Sequence, residues 1–120
     1  MGRTAAPLSF LKGTVDMLVL KAISWQPMHG FGIALWLEQH SAGSLGMDDS
    51  AMYQVLHRLE ERGYVNAQWR TTDNNRRARF YRLTPSGRTH LTAETDAWLR
   101  YSRVVTSVMT LAARSAGGGG

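Results

Sequence analysis

The sequence predicts a mainly α, α+β domain that ends in one long helix. Three observations carry this reading. Apolar residues before Gly63 recur at helical spacing, those from Tyr64 to Leu83 alternate on either side of a polar turn, and those after Thr84 return to helical spacing. The order of three helices, a hairpin and a long helix is that of a winged helix-turn-helix extended at its C-terminus.

The first helix is expected over Lys12 to Trp25. Leu11, Val15, Leu18 and Ala22 form one stripe, flanked by Met17, Leu20 and Ile23, so the segment is apolar nearly all round and reads as central. Pro27 ends it and Gly30 marks the following turn, with His29 capping or packing that turn. A second helix runs from about Gly30 to Gln39 with Ile33, Ala34 and Leu37 inward, closed by Ser41-Ala42-Gly43-Ser44. Asp48-Asp49-Ser50 supplies N-cap oxygens and negative charge for a third helix, which runs to Arg62 and stops at Gly63. Met52, Val55, Leu56 and Leu59 face inward; Ser50, Gln54, His57, Arg58 and Glu61 face out, with Tyr53 on the border.

Beyond Gly63 the period changes to two. Val65, Ala67 and Trp69 share one strand face, Ala78 to Leu83 is the returning strand, and Asp73-Asn74-Asn75 tolerates the tight turn between them. Thr84 caps a fourth helix with Pro85 at its first position. Its stripe is Leu91, Trp98, Tyr101, Val105, Val108 and Ala112, a heptad-like pattern that outruns the domain before it. The simplest cover for such a stripe is the same helix of a second copy, so a homodimer is expected. The chain divides into an N-terminal arm (1–10), a winged helix domain (11–83), a dimerisation helix (84–113) and a disordered tail (114–120). Trp25, Trp36 and Trp69 are expected to be packing residues.

The 120 residues carry 14 Lys+Arg against 9 Asp+Glu, a formal charge of +5 that favours an acidic partner such as double-stranded DNA. With 43% hydrophobic and 19% charged residues the chain is globular in composition. It has no cysteine, which excludes disulfides and thiolate chemistry and fits a cytoplasmic location. No apolar run is long enough to span a bilayer, so no membrane partner is expected. His29, His40, His57 and His90 lack metal-site spacing and no glycine-rich phosphate loop follows a strand; no metal, cofactor or catalytic residue is predicted.

The pieces suit DNA. A helix fits the major groove, where glutamine pairs with adenine and arginine with guanine, which makes Gln54 and Arg58 the best base readers. Ser50 at the helix start can meet a phosphate or base edge, and His57 lies on the same outer face. The basic hairpin would lie along the backbone through Thr71, Asn74, Arg76, Arg77 and Arg79, with Asn74 and Asn75 mainly shaping the turn. The chief alternative is a winged helix that docks an acidic protein through the Arg76 to Arg82 cluster; another is a small-molecule sensor.

Several stretches together resemble the PadR family of bacterial transcriptional regulators, in its short members. They are Leu11-Lys12-Gly13-Thr14 with Leu18-Val19-Leu20, His29-Gly30-Phe31-Gly32-Ile33, Tyr53 through Gly63, and Asn74 through Thr84 with Gly87. The resemblance implies a dimeric regulator, usually a repressor, on an inverted repeat in promoter DNA. It assigns major-groove reading to Ser50 to Arg62, backbone contact to Thr71 to Arg79 and dimerisation to Thr84 to Ala112. Many members carry proline after the tyrosine matched by Tyr53, where this chain has Gln54. Some relatives respond to a small aromatic effector near the dimer interface, for which Trp98 and Tyr101 would be the stacking rings here.

Overall fold

The computed structural model describes residue 11 and residues 13–113. The arm at 1–10 and the tail at 114–120 lie outside the described residues. The elements are α1 (Val15–Trp25), β1 (Met28–His29), α2 (Gly30–His40), α3 (Asp49–Glu61), β2 (Val65–Thr71), β3 (Arg77–Leu83) and α4 (Pro85–Met109). Three helices, a hairpin and a long helix confirm the α+β winged helix.

Each helix start has a local cause. His29 Nδ1 accepts from the Gly32 N–H at 2.9 Å and caps α2. Asp48 accepts from the Ala51 N–H at 2.7 Å and caps α3, which places the negative charges of Asp48 and Asp49 at the positive helix end. Thr84 accepts from the Gly87 N–H at 2.9 Å and caps α4, with Pro85 in its first turn. α3 ends as its glycine predicts. Gly63 has φ +77, its N–H donates to the Glu60 carbonyl and the Tyr64 N–H donates to Leu59, closing the last turn.

The core runs from Val19, Leu20, Ala22 and Ile23 of α1 through Ile33 and Leu37 of α2 to Met52, Val55, Leu56 and Leu59 of α3. Val65, Tyr81 and Leu91 close it from the sheet and α4. The stripe on α1 is rotated from its expected position: Leu11 is exposed, Val15 and Leu18 are half-buried, and Val19 and Leu20 are the innermost residues. A helix apolar on all sides does not encode its own rotation; contacts with α2, α3 and α4 decide it.

The sheet holds one strand the sequence did not announce. β1 pairs antiparallel with β3, Met28 opposite Tyr81 and His29 opposite Phe80, giving the order β1-β3-β2. The hairpin pairs Val65 with Leu83 through Thr71 with Arg77, so residues 72–76 form the tip. There Asn75 takes φ +61 and its N–H donates to the Thr72 carbonyl, the turn-shaping role its type suggests.

α4 meets the domain through its first turns. The Thr84 hydroxyl donates to the Gly63 carbonyl at 2.6 Å and the Thr84 N–H donates to the Tyr64 carbonyl at 3.1 Å. The His90 ring stacks on Tyr64 at 4.2 Å. Two expectations for the dimerisation stripe need correcting. Leu91 is buried in its own domain, so it has nothing to offer a second copy. Ala112 lies beyond the end of α4 at Met109 and is off the helix face. Past Leu91 the helix stands clear, leaving Tyr101, Val104, Val108 and Met109 mostly exposed.

Candidate nucleic-acid interface

The start of α2, the side of α3 that carries Asp49, Met52, Tyr53 and Leu56, and the hairpin line a cleft of about 760 Å³. On a neighbouring face of α3, outside the lining of the cleft, Ser50, Gln54 and His57 are exposed, spaced four and three residues apart. His57 lies 3.5 Å from Glu61 one turn on, both well exposed. These three are where the sequence placed them.

Arg58 is not. Its guanidinium is held by Asp16 of α1, through Nε to Oδ2 at 3.2 Å and a second, short contact from Nη2 to Oδ1. The hydrogen bonds raise the Arg58 pKa above its ordinary value, outweighing partial burial. Arg62 approaches the same carboxylate at 3.9 Å. A bidentate arginine–carboxylate pair is geometrically specific, so Arg58 clamps α3 to α1 and is not free as a base reader. Asp16 is remote in sequence, and nothing in the spacing of either residue signals the pair.

The arginines of the hairpin divide by strand register. Arg77 and Arg79 share the face of Ala67, Trp69 and Tyr81, which looks toward α3, whereas Arg70 and Arg82 lie on the opposite face. Arg70 sits over the Phe80 ring at 5.3 Å on that far side. Arg79 donates to Glu60 of α3 at 3.0 Å, so it works as a strut between α3 and the hairpin. Beneath it, burial pushes the Tyr81 phenol above its ordinary pKa, against the pull of the Arg79 cation. Arg76 at the tip and Arg77 have no ion pair among the described residues and line the cleft with Asn74. Thr71 is exposed at the end of β2.

Trp69 departs from the packing role expected of it. It is not packed: 57% of it is exposed, on the cleft wall, with the Arg77 guanidinium 5.4 Å from its ring centre. Trp25 is also exposed, at 67%, with Lys21 over its ring, while Trp36 stacks on His40 at 4.1 Å. Among the described residues, no group of three or more His, Asp or Glu side chains could hold a metal. No helix of the described residues is long and apolar enough to cross a membrane.

An exposed polar helix face beside a basic wing is an arrangement for a polyanion with a groove, and comparison with known proteins agrees. The Transcriptional regulator PadR-like family matches residues 19–93, more than half of the chain. The chain belongs to this family. The PadR-like chain is 30% identical over 96 residues to the transcriptional regulator Rv3488 of Mycobacterium tuberculosis, covering 80% of this chain and 86% of that one. It is 37% identical over 87 residues to an uncharacterized 37.1 kDa protein in transposon TN4556 of Streptomyces fradiae. There the match spans 72% of this chain but 24% of the relative. In fold it resembles the crystal structure of a PadR-like transcriptional regulator of Bacillus cereus, with a TM-score of 0.75 and 19% identity over 85% of this chain and 97% of that one. This PadR-like protein is a DNA-binding transcription regulator and not an enzyme.

Proposed function

We propose that the chain is a repressor that binds an inverted repeat in promoter DNA as a homodimer. α3 enters the major groove and the wing follows the flanking backbone. The observation that carries this reading is the set of Ser50, Gln54 and His57, exposed in line on α3, together with Arg76 and Arg77 on the wing, which have no ion pair among the described residues. Gln54 reads a base, with Ser50 and His57 on either side of it; Arg58 holds the helix in place. Thr71, Asn74, Arg76 and Arg77 take backbone phosphates. Arg79 sets the angle of the wing through Glu60.

The homodimer forms through α4. Trp98, Tyr101, Val104, Val105, Val108 and Met109 fall within one broad stripe of that helix. Val104 and Met109 join the face because exposure, and not the heptad alone, selects them. Trp98 and Tyr101, with ring centres 6.5 Å apart and tilted by 44°, offer stacking surfaces for a flat aromatic effector at the edge of the interface.

Anisotropy titration of a fluorescent duplex from the chain's own upstream region tests the reading, with a scrambled duplex beside it. Preference for the upstream duplex by about a thousandfold is expected of a specific regulator; equal, weak binding to both would overturn it. Gln54→Ala should lower affinity for the upstream duplex by about tenfold and leave the scrambled one nearly unchanged. Arg77→Ala should weaken both duplexes alike and reduce the salt slope by about one unit per protomer. An unchanged slope would remove Arg77 from the phosphate contacts.

A further inference from the structure

Three large aromatic side chains stand in water on the cleft between α3 and the wing. Phe31 at the start of α2 is 71% exposed, Tyr53 of α3 is 64% exposed and Trp69 of β2 is 57% exposed. They come from three elements well separated in the chain, and all line the same cleft. Scattered apolar residues on a surface are ordinary; rings from separate elements converging on one concavity mark a contact surface. None is needed by the core, which closes beneath them through Met52, Leu56 and Tyr81.

The charge around the rings says what they meet. Arg76 and Arg77 share the cleft wall, and the Arg77 guanidinium lies over Trp69 itself. Asp49 also lines the cleft, at the positive N-terminal end of α3 that offsets its charge. The surface therefore runs from apolar rings on the helices to a ring and cations together on the wing. A strand of DNA offers a partner to each, an apolar deoxyribose between successive phosphates. The cleft is open along its outer side, which suits a polymer crossing it better than an enclosed small molecule.

We propose that this cleft seats the backbone of one strand of the duplex, with Phe31, Tyr53 and Trp69 packed on deoxyribose carbons while Arg76 and Arg77 hold the neighbouring phosphates. This rests on the DNA-reading assignment above. It adds a component of affinity that does not come from counterion release. Phosphate contacts weaken along a fixed slope as salt rises, whereas burial of ring surface does not depend on salt in this way. The aromatic component is independent of sequence, because every nucleotide presents the same sugar.

Trp69→Ala, Phe31→Ala and Tyr53→Ala in the full chain, titrated against the upstream and scrambled duplexes over a range of salt concentrations, test the proposal. Each is expected to weaken binding by about three- to tenfold at every salt concentration and on both duplexes, giving a line parallel to that of the unaltered chain. Trp69→Phe should keep most of the affinity, and thermal melts of all variants should match the unaltered chain because the side chains are outside the core. Variants that bind like the unaltered chain would overturn the proposal while leaving the DNA-reading assignment intact. A fall in slope with Trp69→Ala would also overturn it, since the ring would then act only by holding Arg77. Losses confined to the upstream duplex would do the same, pointing to base contact. Failure of the unaltered chain to bind either duplex would overturn both readings.

Discussion

Replacing Gly87 with alanine is expected to cost the protein about 3 kcal/mol of stability. Gly87 lies in the first turn of α4 and is buried against the backbone of Tyr64. A Cβ built there would stand 2.0 Å from the Tyr64 carbonyl oxygen and 2.8 Å from its carbonyl carbon. Backbone cannot rotate aside as a side chain can, so α4 must lift from the loop that follows α3. Lifting it strains the Thr84 hydrogen bonds to Gly63 and Tyr64 and separates His90 from Tyr64. Thermal unfolding at fixed protein concentration should show a midpoint lower by at least about 10 °C. Gly46→Ala is the matched control, because a Cβ there meets nothing within 4 Å. Equal midpoints for the two variants would show that the junction yields more easily than its geometry indicates.

Val105→Asp is expected to turn the proposed homodimer into a folded monomer. Val105 lies on the exposed stripe of α4 between Tyr101 and Val108, remote from the core that ends at Leu91. A carboxylate buried there without a partner costs about 3 kcal/mol. Twofold symmetry places one on each helix. Together they should raise the dimer dissociation constant by about ten-thousandfold. Sedimentation velocity should show the monomer, helix content by circular dichroism should be retained, and affinity for an inverted repeat should fall by about a hundredfold or more as the two half-sites lose their linkage. A dimer that survives the substitution would move the interface to another surface.

The parts of this fold that were legible in the sequence are those encoded locally. Asp48, Gly63 and Thr84-Pro85 announce helix ends through their own hydrogen-bonding groups and backbone angles, and the structure uses each as expected. Periodicity placed Met52, Val55, Leu56 and Leu59 inward without error because the opposite face of α3 is polar. What sequence did not show depends on partners far along the chain. β1 is two residues long, too short to carry an alternation, and exists because β3 offers it an edge. Arg58 looks free on its helix until Asp16 of α1 reaches it from 42 residues away. Leu91 continues the α4 stripe without a break, and only the placement of the helix assigns it to the domain's own core. Trp69 keeps strand alternation with Val65 and Ala67, but the strand has passed the edge of the core by the time it arrives there.

The grip of Asp16 on Arg58 and of Glu60 on Arg79 has a consequence for the energetics of recognition. α1 fixes the rotation of α3 about its own axis, and α3 in turn fixes the tilt of the hairpin. Two of the arginines that look most available for nucleic acid are thereby committed to ordering the surface that the others present. The conformational entropy of arranging helix and wing is lost when the chain folds, so less of it remains to be lost when DNA arrives. Removing either carboxylate would release a cation toward the duplex yet loosen the frame around it, and the extra charge need not strengthen binding.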